Sequence, residues 1–453
     1  MLLPACDRRG ERQVTTSSRR RRPRRQAGDI ACDRSVSDRS ASGRSLRVAT
    51  CAAIACVGLA AAPALASAAP PASAGEPSAQ SSSDPAKTSD PTKFSDTTTT
   101  VDAVTTSGAS AGAVYSRRPI TRSDLVPGAA SGTVFTYATT GADHKPQRSS
   151  GVLLTPFGSV PAGGFPVIAW AHGSRGLADG CAPSVRPAVA DLDQARTWLS
   201  RGYAVVSTDY AGLGTAGTPQ YFDTDATARN IVDAVRATQS LRSDVSRRWA
   251  VVGQGQGAAA AVTLARIGPT LGGPNLDFRG AAASSIPAQF SSLLTKLGPG
   301  TVNLPAGLTA DALYTLSAIS SARPSVDVVD YLTESGRSWL NRAAQLCVAD
   351  LTREVDGVSL GSLFSKPLSG NRELAGVLEA ASVLPVRGFT RPVMMTQGLV
   401  DPSVIVPLTL NYINDARMAD RQVTPRPYLT LSADGANKMA DNDIRSFIAT
   451  VMR

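Results

Sequence analysis

The sequence predicts an α/β fold: a mostly parallel eight-stranded sheet with helices on both faces and an inserted helical cap. Three observations predict it. Short apolar runs recur at Thr133–Thr139, Gly151–Thr155, Pro166–Ala171, Ala204–Thr208, Trp249–Gly253, Arg279–Ala283, Pro392–Gln397 and Pro427–Leu431, each of strand length. From the third run onward, segments with apolar residues at helical spacing intervene, at Asp191–Leu199, Ala226–Leu241 and Ala258–Ile267. Strands alternating with helices imply parallel pairing, because a parallel connection needs a crossover. Finally, about a hundred residues separate the sixth and seventh runs, far more than a connection needs. They carry their own helical pattern, as in Val328–Leu332 and Trp339–Leu351, and read as a cap insertion over about residues 284–388.

The first two runs are joined by a polar segment containing Gly141 and read as a hairpin. Ahead of them, residues 1–68 read as a signal peptide with a long basic n-region. Arg44 and Arg47 end the basic part, and Val48–Ala66 is almost wholly small and apolar. Ala64-Leu65-Ala66 and Ala66-Ser67-Ala68 offer cleavage sites. An N-terminal membrane anchor is the competing reading, and Pro63 among the small residues argues against it. Residues 69–110, rich in Ser, Thr, Ala, Pro and Asp, read as a disordered linker. Residues 111–453 are then the folded domain.

The formal charge of +10 suggests an anionic partner at first sight. Residues 1–47 alone hold 13 Arg against 5 acidic residues, so the excess belongs to the leader and the folded part is nearly neutral. No basic stripe with interleaved aromatics follows, which argues against nucleic acid. No cofactor or metal is implied. Of six Cys, only Cys181 and Cys347 lie beyond the leader. In an exported chain they read as one disulfide, the alternative being two buried thiols. A secreted, extracellular or cell-envelope location follows, with no stable transmembrane anchor.

Ligands in open parallel sheets bind at the carboxyl ends of the strands, and four segments matter there. The fifth strand runs into Gly253-Gln254-Gly255-Gln256-Gly257 and then a small-residue helix. Strand, tight turn and helix form the context of a nucleophile elbow, in which the middle residue of G-x-S-x-G carries the attacking hydroxyl. Here that residue is Gly255, which has no side chain. A phosphate-binding loop is the competing reading, but the glycine spacing is not G-x-G-x-x-G and no Lys follows. The third strand runs into His172-Gly173-Ser174, the loop that supplies an oxyanion-hole amide in such folds. With Gln256, it lines the expected pocket, and the His172 ring itself reads as structural. The seventh strand runs into Asp401-Pro402. Asp401 could orient an imidazole, or cap a helix with Pro402 at its first position. The last strand runs into a loop containing Asp434-Gly435, where a general-base histidine belongs. The sequence has two histidines, His144 and His172, and neither follows the last strand.

These residues together resemble the secretory lipase family of α/β hydrolases. The resemblance runs from His172 to Phe447. It is carried by Ala171-His172-Gly173-Ser174 with Cys181-Ala182-Pro183-Ser184, by Asp209-Tyr210-Ala211-Gly212-Leu213-Gly214, by Asp233-Ala234-Val235-Arg236-Ala237, and by Gly253-Gln254-Gly255-Gln256-Gly257 where the family has G-H-S-Q-G. Gln397-Gly398 with Asp401 completes it. The resemblance implies an α/β-hydrolase fold, lipase or esterase activity on acylglycerols, and a helical cap over an acyl pocket. Gly255 stands at the nucleophile position and Gly435 at the histidine position, leaving Asp401 as the remaining triad acid. The expected function is therefore a non-catalytic homologue that holds a lipid, an acyl ligand or a partner. The alternative is a lipase or esterase that works through unconventional groups, such as water activated by Asp401 or Asp434.

Overall fold

The computed structural model describes residues 109–186, 193–219, 221, 223–430 and 433–453. The expected signal peptide and almost all of the expected linker lie outside them.

Three strands open the sheet: β1 (Val114–Pro119), β2 (Ala129–Thr140) and β3 (Pro146–Pro156), paired antiparallel. The chain continues through β4 (Phe165–Ala171), α1 (Asp193–Leu199), β5 (Ala204–Thr208), α2 (Thr224–Leu241), β6 (Val245–Gln254), α3 (Gln256–Gly272) and β7 (Asp277–Ser284). Five helices follow: α4 (Phe290–Leu294), α5 (Ala306–Ala322), α6 (Glu334–Ala343), α7 (Val348–Glu354) and α8 (Arg372–Ser382). The chain returns to the sheet with β8 (Val393–Gly398), α9 (Val406–Ala419), β9 (Val423–Tyr428) and α10 (Ala433–Val451). The order across the sheet is β1-β2-β3-β5-β4-β6-β7-β8-β9. β3 pairs antiparallel with β5, and every pairing beyond is parallel.

Period-two alternation along buried strands builds two cores. On β6, Trp249 and Val251 join Ile231 and Val235 of α2, Leu264 of α3, and Tyr412 and Ile413 of α9. Ala250 and Val252 face the other way, toward Trp198 of α1 and Ile444 and Ile448 of α10. Both faces are thus covered, and this is why the parallel strands read as continuous apolar runs. In α3, Ala258 to Ala261 are all buried, and the small side chains let the helix sit close on the sheet.

The insertion between β7 and β8 has a core of its own, including Leu308, Leu313, Leu316, Leu340, Leu351 and Leu363. Each such buried leucine contributes roughly 1.5–3 kcal/mol. Cys181, after β4, is disulfide-bonded to Cys347 in the insertion, with 5.4 Å between their Cα atoms. A short antiparallel bridge between Gly176 and Cys347 adds to this tie.

Four expectations need correction. The sheet has nine strands among the described residues rather than eight, because β1 precedes the predicted set. β1 is an edge strand whose outer four residues, Ser116 to Pro119, are exposed, so it lacks the apolar signal of a buried strand. The last strand spans Val423–Tyr428, not Pro427–Leu431. Its Pro425 and Pro427 would break a central strand but are tolerated at an edge. The predicted helix Trp339–Leu351 is two helices, because Cys347 is extended (φ −79°, ψ 160°) where the disulfide holds it. Val328–Leu332 forms only a short 3-10 turn over Val328–Tyr331. Among the described residues, no helix is long and apolar enough to cross a membrane.

Candidate functional site

The turn between β6 and α3 is the best-defined part of the site. Gly255 sits between strand and helix at φ 53°, ψ −118°, in the positive-φ region that side chains disfavour. Its N–H donates to Ser284 O at 3.1 Å, and its own carbonyl accepts from Ala258 N at 3.0 Å. The three glycines play different parts. A Cβ on Gly253 would lie 2.2 Å from Gly257 O, and one on Gly257 would lie 2.0 Å from Ala171 O. Those two positions are glycine because backbones touch there. A Cβ on Gly255 meets nothing nearer than Gly173 Cα at 3.7 Å. Space for a side chain exists at the apex, and it faces the loop after β4.

In that loop, the His172 ring is buried, with Nδ1 2.7 Å from Gly173 O. It stacks 4.3 Å from the Tyr210 ring, whose hydroxyl donates to His172 O at 2.9 Å. Burial pushes the imidazole pKa down to about 4, so the ring is neutral near pH 7 and fixes the loop's shape. Gln256 is buried beside it, lining with His172, Arg175, Asp209 and Tyr210 a pocket of about 20 Å³. That is room for little more than one water molecule. The Ser174 hydroxyl hydrogen-bonds Asp311 of α5 and Tyr221, and the Tyr221 hydroxyl donates to Asp311 Oδ1 at 2.7 Å. Burial raises the Asp311 carboxyl to about 6. This polar seam joins the insertion to the loop that follows β4. Sequence reasoning missed it, although a lone carboxylate in the largely apolar α5 was a usable signal.

Across the site, Asp401 follows β8. Oδ1 accepts from Ser403 N at 3.0 Å and Ser403 Oγ at 2.5 Å, and Oδ2 accepts from Gln397 Nε2 at 3.1 Å. The helix-capping alternative for Asp401 is not realised: α9 starts at Val406 with Ile405 as its N-cap, and Asp401 instead pins a turn. The segment after β9, expected as a loop, is helical from Ala433, which puts Gly435 in the first turn of α10; Leu431 and Ser432 lie outside the described residues. A Cβ on Gly398 would lie 2.6 Å from Ala436 Cβ, so β8 and α10 approach closely. Asp401, Asn437 and Gln254, the residue before the apex, line one cavity of about 240 Å³. His144 lies far along the chain, in the β2–β3 turn at φ 57°. Among the described residues, no group of three or more His, Cys, Asp or Glu could hold a metal ion.

A strand-turn-helix apex beside a buried histidine loop, with an aspartate turn after a later strand, is the frame of the α/β-hydrolase fold. Residues 189–383 match the secretory lipase family. The secretory lipase match spans α1 to α8 and therefore includes Gly255 and the insertion, while Asp401 and Gly435 lie beyond it. No curated protein matches the chain. Solved structures of similar fold include Candida antarctica lipase A in its closed state, 20% identical with a TM-score of 0.59, covering 74% of this chain and 83% of that one. A ligand-bound form of the rice cell wall degrading esterase LipA from Xanthomonas oryzae is 21% identical with a TM-score of 0.60, covering 76% of this chain and 99% of that one. The chain thus has the α/β-hydrolase fold and resembles secretory lipases.

Proposed function

We propose that this protein is an exported, lipase-like α/β-hydrolase homologue that does not hydrolyse esters by the serine mechanism. One observation carries the reading: the apex of the β6–α3 turn is Gly255, at φ 53° with space around it and no side chain to fill that space. Glycine cannot form an acyl-enzyme, and serine chemistry also needs a base. Of the two histidines, His172 is buried under its loop and His144 lies exposed in the β2–β3 turn. Losing either member of a working triad removes several orders of magnitude of rate. Water activation by Asp401 finds little support, because three hydrogen bonds from Ser403 and Gln397 leave the carboxylate a single open acceptor position.

The helical insertion serves as a cap. Beneath it, a cavity of about 210 Å³ lies between α5, α8 and the β2–β3 hairpin, with Phe290, Ile319, Val377 and Leu378 among its apolar walls and Asp143 and Arg323 at its polar side. An apolar pocket with a few polar groups suits an acyl or lipid ligand. The Cys181–Cys347 disulfide fits an oxidising compartment, in line with residues 1–68 acting as an export signal.

The test is direct. The full chain is incubated with a fluorophosphonate probe and assayed on short and long p-nitrophenyl esters. No covalent adduct and no turnover above buffer are expected. A serine adduct would overturn the reading. Native mass spectrometry after lipid extraction then tests for a retained acyl ligand.

A further inference from the structure

We infer that the cavity between the Asp401 turn and the first turn of α10 binds a small planar nitrogen base of the imidazole class. The inference rests on the reading of Gly435 as a vacated histidine position; Ala436, the next residue, lines the cavity. The cavity of about 240 Å³ is lined by Gln254, Ser284, Thr396, Asp401, Tyr428 and Asn437, among others. It is many times the roughly 10–15 Å³ that one water molecule needs on the same measure, so a ring of five non-hydrogen atoms fits.

The acceptor arithmetic at Asp401 points to one N–H donor. A carboxylate offers about four acceptor positions. Ser403 N–H and Oγ occupy two on Oδ1, and Gln397 Nε2 occupies one on Oδ2. One position is left, on Oδ2. All three donors are neutral, and none of the ion pairs among the described residues involves Asp401. The carboxylate is therefore oriented in advance but not neutralised, which lowers the ordering cost of binding a cationic or strongly polarised N–H group. The Asn437 amide in the same wall can serve the second ring nitrogen, and Ala436 and Ala440 offer an apolar flank. A guanidinium needs several acceptors at once and is matched less well than imidazole.

The site adjoins the apex. Gln254 lines the cavity, and Ser284, whose carbonyl accepts from Gly255 N–H, lines it too. A base bound there would lie against Gln254 and Ser284, the chain neighbour and the hydrogen-bond partner of Gly255. In Gly255→Ser, such a base would take the serine proton as Oγ bonds to the ester carbonyl carbon. It would return that proton to the departing alkoxide as the ester C–O bond breaks. Water would then release the acid by the same route.

The test uses the full-length protein. Imidazole is titrated against the wild-type chain by ligand-observed NMR, with acetate as the anionic control. Saturable binding in the millimolar range is expected, at least fivefold weaker in Asp401→Asn and not competed by acetate. Lack of saturation, or equal binding by Asp401→Asn, would overturn the site. Asn437→Leu, which alters the wall and leaves the Asp401 turn intact, is expected to weaken binding as well, and equal affinity in that variant would count against the site. In Gly255→Ser, imidazole is expected to raise ester turnover at least tenfold above its own background, saturating at the affinity found by NMR, and Gly255→Ser/Asp401→Asn is expected to lose that gain. The two readings fail separately: a fluorophosphonate adduct on the wild-type chain would sink the proposed function and leave the titration standing, whereas absent binding would sink the base site alone.

Discussion

The two sides of the candidate site are built on different physics. At the β6–α3 turn, backbones touch: Gly253 meets Gly257, Gly257 meets Ala171, and the neutral His172 ring is buried beneath its own loop. Across the site, Asp401 is held by three directional hydrogen bonds at the wall of an open cavity. The first side is fixed by close packing and tolerates almost no added atom. The second is fixed by polar contacts and tolerates change. Gly255 belongs by sequence to the packed side but, having room around it, behaves like the open one.

The comparison can be broken most severely at Gly257. Gly257→Ala would drive a methyl into Ala171 O, and overpacking of this kind should cost about 3 kcal/mol, the upper end of such costs. Denaturant titration is expected to show that loss, or no folded protein at all; a fall under 1 kcal/mol would mean that the turn is not closely packed.

The next effect depends on pH. Burial raises the folded-state pKa of Asp311 to about 6, so the folded chain holds that proton more tightly than the unfolded chain does. This contribution to stability is fully present below the unfolded carboxylate pKa near 4 and is lost as pH rises toward 6. Asp233, raised to about 6 by burial, acts in the same direction. His172, lowered to about 4, acts oppositely: its contribution is present above the unfolded value and lost as pH falls. Both cancel when wild type is compared with Asp311→Asn. The wild-type stability relative to that variant should therefore rise by up to about 3 kcal/mol between pH 7 and pH 4. A difference that is flat with pH would remove Asp311 from the seam.

Gly255→Ala sharpens the contrast with Gly257. It meets no steric barrier and carries only the strain of the φ 53°, ψ −118° backbone, about 1–3 kcal/mol, so chemical denaturation should find it folded and weakened by that amount. Smallest is Ser403→Ala, which removes one exposed donor to Asp401 and should cost no more than about 1 kcal/mol. Thermal melts resolve that change, and a larger one would mean that the Asp401 turn braces more than itself.

The buried parallel strands were plain in the sequence because both of their faces are covered and their residues are apolar without interruption. Edge strands were not. β1 carries Arg117 and Arg118 and has four exposed residues, and β9 carries two prolines, so neither looks like a strand until its neighbour is known. The α6–α7 break was hidden because the residues around Cys347 keep helical spacing, and only the cross-link to Cys181 shows why that turn is extended. The Gly-rich turn was legible from local spacing alone. The Ser174–Tyr221–Asp311 seam joins three distant segments, and the roles of Gln397 and Ser403 depend on a turn whose shape the sequence does not spell out.

The bond between Cys181 and Cys347 spans 166 residues, and this orders the events of folding. A cross-link closing so long a loop removes roughly 5 kcal/mol of chain entropy from the unfolded ensemble on the entropic model. It cannot form during synthesis until most of the sheet and much of the helical segment have emerged. Oxidation can therefore act only after β1 to β7 and the first helices of the insertion have been made, and reductant present throughout folding is expected to leave the insertion less firmly tied to the sheet.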